Sequence, residues 1–158
     1  MTNSDILRRL RYSLDLSDSA MIATFAAGGH EATREQVSDW LKKDDDPAWQ
    51  RCNDTELATF LNGLIVTRRG KKDGTLPEAE ARLNNNLILR KVKIALELKD
   101  DDILVIMGLA GLRISKHELS AFFRNKDHKH FRECQDQVLR KFLKGIQLKY
   151  RDHLCINN

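Results

Sequence analysis

Cysteine stands twice at the same offset before an apolar helical pattern, as Cys52-Asn53-Asp54 and as Cys134-Gln135-Asp136. A thiol at a helix N-terminus can have a lowered pKa and act as a nucleophile. No histidine is matched in both surroundings to serve as its base, so small buried packing residues are expected here. A cysteine-dependent enzyme is the remote alternative. Asp127-His128-Lys129-His130, followed by Cys134, offers metal-ligand types. Zinc needs three or four convergent ligands, usually in recognisable pairs, and the matching stretch Asp45-Asp46-Pro47-Ala48 holds no histidine. No metal is expected, and the cluster reads as part of a basic loop. The third set is cationic: Arg90, Lys91 and Lys93, then Lys116 and His117, then Arg124, Lys126 and Lys129. Such residues suit phosphates or carboxylates, and together they form the candidate partner or nucleic-acid surface. No set of stacking aromatics accompanies them.

The elements that must position these residues come as a repeat. Shifted by 82 residues, the segment 3–69 aligns with 85–151 without a gap and with 17 identities in 67 pairs. A repeat of this kind is the first fact to establish about a fold. Each copy reads as four helices. The first carries Ile6, Leu7, Leu10 and Leu14 on one stripe, at a helical period; Tyr12 lies off it and suggests a second buried face. The second helix follows Ser17-Asp18 or Asp100-Asp101, where acidic residues suit the N-terminal dipole. The third opens on a capping box in both copies, Thr33 with Gln36 and Ser115 with Glu118. The fourth begins at Asp54 or Asp136, read as N-caps, and carries Leu57, Phe60, Leu61 and Leu64 or their counterparts Leu139, Phe142, Leu143 and Ile146. Gly63 and Gly145 fall inside it, which predicts close helix-to-helix approach. Sustained period-2 alternation is absent, so no sheet is expected.

The second and third helices also make a helix–turn–helix pattern, whose second member would present its N-terminal side chains to a DNA groove. In the first copy these include Glu35 and Asp39, which phosphates repel; in the second they are Lys116, His117 and Arg124. A structural helix pair is the preferred reading, with nucleic-acid binding as the functional alternative.

Charge separates the copies. Residues 3–69 hold nine Lys and Arg against eleven Asp and Glu, a balance of −2; residues 85–151 hold fifteen against eight, a balance of +7. Matched charges are Arg8 and Arg90, Asp18 and Asp100, Asp54 and Asp136, and Arg69 and Arg151, best read as structural pairs or caps. The chain lacks GxxxxGK[ST], GxGxxG, HExxH, GxSxG and an EF-hand loop, so no cofactor is implied. No signal-peptide pattern opens it, its longest apolar stretch, residues 103–111, is too short for a bilayer span, and three cysteines without CxxC suggest no disulfide framework. A cytoplasmic location is expected.

The segments NNNLILRKVKIALELKDDDIL, HFRECQDQVLRKFLKGI and RCNDTELATFLNGL, with their doubled (R)xCxDxxLxxFLxG element, resemble the YehS-like family of bacterial domains of unknown function. The resemblance covers nearly the whole chain. It implies an all-α duplicated domain in a bacterial cytoplasm and transfers no catalytic or binding residue. The expected organisation is helical repeat 1 over 1–69, a linker over 70–84, helical repeat 2 over 85–151 and a tail over 152–158. The two repeats should pack as one body around a pseudo-two-fold. The expected function is a non-catalytic binding module that meets an acidic protein surface or nucleic acid through its basic second repeat.

Overall fold

Residues 1–70 and 76–152 are described by a computed structural model, and among them every regular element is helical. Repeat 1 contributes α1 (Asn3–Ser13), α2 (Asp18–Ala27), α3 (Arg34–Leu41) and α4 (Asp54–Arg69). Repeat 2 contributes α5 (Asn85–Ala95), α6 (Asp100–Leu109), α7 (Lys116–Ala121) and α8 (Asp136–Gln147), continued by a π-helical turn over Leu148–Asp152. Residues 71–75 of the linker and 153–158 of the tail lie outside the described residues.

Local signals place the helix starts. Thr33 accepts from the Gln36 amide while Gln36 reaches back to the cap amide, and Ser115 and Glu118 do the same. Both capping boxes satisfy two otherwise orphaned N–H groups. The fourth helices correct the sequence reading: Asn53 and Gln135 hold the cap positions, and Asp54 and Asp136 are the first helical residues. Their carboxylates have another task. Asn3 donates to Asp54 Oδ1 at 2.8 Å and to the Cys52 carbonyl at 3.0 Å, and Asn85 repeats both bonds at 2.7 and 2.9 Å. The start of each first helix is thereby tied to the start of its fourth.

Within a repeat, the fourth helix lies across the second with backbone nearly touching backbone. A methyl group at Gly63 would sit 1.8 Å from the Thr24 carbonyl oxygen, and one at Gly145 would sit 2.1 Å from that of Ile106. Only glycine permits this approach, which accounts for its presence mid-helix in both copies.

Between repeats the packing is reciprocal: α4 lies on α5, and α8 lies on α1. The ion pairs follow the same rule. Arg69 of repeat 1 pairs with Glu97 of repeat 2 at 3.4 Å, and Arg151 of repeat 2 pairs with Asp15 of repeat 1. Asp15 and Glu97 stand at matched positions, each with a φ of 53°. The chain is thus one body with a pseudo-two-fold, and the buried apolar residues of both repeats join in one core. Tyr12 does not form the second buried face; it is 49% exposed, beneath the Arg151 guanidinium.

The pseudo-symmetry is broken at the fourth helices. Residues 57–64 of α4 are all buried, whereas α8 buries only one stripe and leaves Arg140 and Lys144 exposed. The difference begins in sequence, since Ala58 and Asn62 occupy the positions that Arg140 and Lys144 hold in the second copy.

Candidate functional site

Tying the first helix to the start of the fourth leaves a groove beside each tie, walled on its far side by the loop that follows the third helix. In repeat 1 the groove is small, about 400 Å³, because Trp49 closes it and donates from its indole nitrogen to Ser4 Oγ at 3.2 Å. In repeat 2 Phe131 replaces Trp49 and Asn86 replaces Ser4. The Asn86 amide bonds the Phe122 and Arg132 carbonyls and accepts from the Cys134 amide. The groove there is about 670 Å³.

Its rim carries Arg90, Arg124 and Lys126. In repeat 1 the equivalent cations are neutralised nearby: Arg8 pairs with Asp5, and Lys42 with Asp39 at 2.6 Å. Repeat 2 has Leu87 in place of Asp5, Ala121 in place of Asp39 and Lys126 in place of Asp44. Arg90 and Arg124 accordingly have no carboxylate partner among the described residues. Arg90 keeps the structural task of its counterpart. It donates to the Phe123 carbonyl at 2.7 Å, as Arg8 donates to those of Leu41 and Lys42. Glu133 and Asp136 also line the groove, so its field is mixed rather than uniformly positive.

The other expected surface residues are scattered. Lys91 is corrected outright: it is 8% exposed and lies at the α4/α5 contact, donating to Asn62 Oδ1 at 2.6 Å and pairing with Glu80 at 3.0 Å. Lys93 pairs with Asp100 at 2.9 Å and lies over the Phe123 ring, so its charge is largely answered. Its matched pair, Arg11 with Asp18, shows that this contact belongs to the repeat. Lys116 is exposed and stands 3.7 Å from Asp101, a separation worth little in water. His117 lies edge-on to His130, which is close to His128. Lys129 is exposed in the same loop without lining the groove. Among the described residues, no group of three or more His, Cys, Asp or Glu side chains converges as a metal ion would require.

Cys52 and Cys134 are buried, and their thiols lie near the carbonyls of Asn53 and Gln135. Burial and neighbouring carboxylates push both up to about 12, so they stay protonated at neutral pH. The opposite shift would be needed for a ready nucleophile. Asp54 and Asp136 are held below the ordinary carboxylate range, chiefly by the asparagine bond.

The groove residues absent from the expected surface include Asn84, Asn85, Asn86, Phe131 and Glu133. Asn3 and Asn85 are identical across the repeat, and a run of three asparagines marks the start of α5. Those were the available signals.

Residues 3–70 and 85–152 each match the model of a family described as "Protein of unknown function (DUF1456)". The chain is also 48% identical over 148 residues to the uncharacterized protein YehS of Escherichia coli (strain K12), covering 92% of this chain and 94% of that protein. No solved structure matches. Among the described residues no helix is long and apolar enough to cross a membrane.

Proposed function

The chain belongs to the DUF1456 family, and since the family description assigns no function, we propose one from the groove: a non-catalytic binding module whose second repeat receives an anionic partner. The carrying observation is that the second copy has Leu87 and Ala121 where the first has Asp5 and Asp39, so that Arg90 and Arg124 beside the larger groove have no ion-pair partner among the described residues. Duplication supplies the comparison. The scaffold bonds of Arg8 and Arg90 are alike, while the charge around them and the size of the groove beside them differ.

An acidic protein surface suits the groove better than nucleic acid. Glu133 and Asp136 would repel a phosphate backbone, whereas a protein partner can place carboxylates and amides selectively. The nucleic-acid alternative draws on Lys116 and His117 of α7. That helix has six residues, and its lysine faces Asp101; a helix of this length spans roughly 9 Å. A cysteine-dependent enzyme draws no support from two buried, protonated thiols.

The test is retention on heparin and on a column of immobilised poly-glutamate, each eluted with salt. The triple variant Arg90→Glu, Arg124→Glu, Lys126→Glu should elute from both at clearly lower salt than the parent, because partner charges are screened within a Debye length of about 8 Å at physiological ionic strength. Retention on poly-glutamate unchanged by the triple substitution overturns the proposal. Loss after Lys116→Glu and His117→Glu instead transfers the site to α7 and favours the nucleic-acid alternative.

A further inference from the structure

The two inter-repeat contacts are not finished alike. On the α4/α5 side, linker residues 76–83, which form no helix, touch the contact at two points. They place Glu80 on the buried Lys91 at 3.0 Å, and the amide of Leu83 donates to Asp54 Oδ2 at 2.9 Å. On the α1/α8 side the second of these interactions is reproduced, by the amino group of Met1 at 3.7 Å from Asp136 Oδ2. The first is not. Arg9 stands where Lys91 stands in the other copy, and among the described residues it has no carboxylate partner.

Between α1 and α8 lies a groove of about 610 Å³, lined by Arg9, Arg140, Lys144, Tyr12 and Gln147 among others. Arg140 and Lys144 are likewise without ion-pair partners among the described residues. Asp5, the carboxylate that lines the groove among the described residues, is held by Arg8. Three unanswered cations in one concavity raise the local concentration of anions and favour one that can bond them. On the opposite side Ala58 and Asn62 replace Arg140 and Lys144, and Lys91 with the linker's Glu80 takes up the contact there.

We infer that the α1/α8 groove is a docking site for an acidic polypeptide segment, one of whose carboxylates stands to Arg9 as Glu80 stands to Lys91. The molecule contains its own template for the complex: the non-helical residues 76–83, which hold two glutamates and place one of them, Glu80, on the pseudo-symmetric contact. A peptide segment is the occupant because the linker plays that part on the α4/α5 side, and because Tyr12 and Gln147 supply an apolar face and an amide alongside the charges. The inference rests on residues outside the second-repeat groove and stands independently of the role proposed for it.

A peptide of sequence LPEAEARL, copied from residues 76–83 and blocked at both ends, is the probe, titrated by calorimetry into the full chain. Saturable binding at low salt is expected. The variant Arg9→Glu, Arg140→Glu, Lys144→Glu should weaken it by about tenfold or more, given the usual strength of charge-assisted hydrogen bonds. A peptide with Gln in place of the glutamate corresponding to Glu80 should bind less tightly, and undiminished affinity would count against the inference. The triple variant at Arg90, Arg124 and Lys126 should bind the parent peptide normally; loss there would move the site to the other groove and overturn the assignment. No binding, or binding indifferent to the Arg9, Arg140 and Lys144 substitutions, overturns it as well. So does a single-stranded oligonucleotide of equal length that displaces the peptide through those same three residues, which would make the groove a phosphate site. Circular dichroism confirms folding of each variant.

Discussion

At Gly63 and Gly145 a side chain would meet a carbonyl oxygen of the crossing helix at 1.8 and 2.1 Å. A backbone cannot yield as a flexible side chain can, so the helices must separate. Gly63→Ala should cost about 3 kcal/mol or more, the range of severe overpacking, and lower Tm by roughly 10 °C. Gly108 is the control, because a methyl there meets nothing within 4 Å. Gly108→Ala should leave Tm unchanged or raise it, through reduced freedom of the unfolded chain. Thermal melts of the two variants side by side decide the matter: an unshifted Gly63→Ala would mean that α2 and α4 are not in backbone contact. Lys91 shows the reverse case, a residue whose type suggested surface and whose neighbours made it interior. Its stem is buried, and Asn62 and Glu80 satisfy its ammonium, as a buried cation requires.

At the scale of elements, sequence and structure agree where the signal is local. Capping boxes, apolar stripes and acidic helix starts are read from neighbours within one turn, and Thr33 and Ser115 bond as their spacing requires. The start of α4 has its own capping box, Asn53 with Glu56, and its Asp54 is bound besides by partners far along the chain, Asn3 and Leu83. These hold the Asp54 carboxyl below the ordinary range, with the Asn3 bond the larger cause and the Leu83 amide next. A carboxylate lowered in the folded state contributes stability above its unfolded pKa and loses it as pH falls through the folded value. Asp54→Asn should therefore be less stable than the parent at neutral pH, and the gap should narrow as the pH falls to about 3. Urea denaturation at both pH values measures it. An equal gap at both would assign the loss to shape rather than charge. The third helices make the same distinction. Their caps were legible, but their brevity was not: α7 ends within two turns, at Ala121, although the capping box that opens it matches that of the longer α3.

Over the whole molecule, each repeat completes the other. The fourth helix of one lies on the first helix of its partner, and the arginines at positions 69 and 151 cross over in the same sense. A single repeat would expose the faces that α5 and α8 now cover, and a chain of that size buries a marginal core at best. Residues 1–70 expressed alone should lack a cooperative melt, and mixing with residues 76–158 should restore one. A cooperative transition from monomeric 1–70 would show that reciprocal packing is dispensable.

The duplication, the all-helical class, the capped starts of the third helices, the glycine contacts and the opposite charges of the copies were determined by sequence alone. Each depends on residue identity at short range or on comparison of one copy with the other. Only the tertiary structure decided which cations face solvent. The eight residues Arg90, Lys91, Lys93, Lys116, His117, Arg124, Lys126 and Lys129 look alike as letters, yet Lys91 is interior, Lys93 is paired, and Arg90, Arg124 and Lys126 share a groove. The reason is physical. A charge acts through its distance to other charges and to water, and those distances are fixed by how α5 meets α4 and by where the loop after α7 comes to rest.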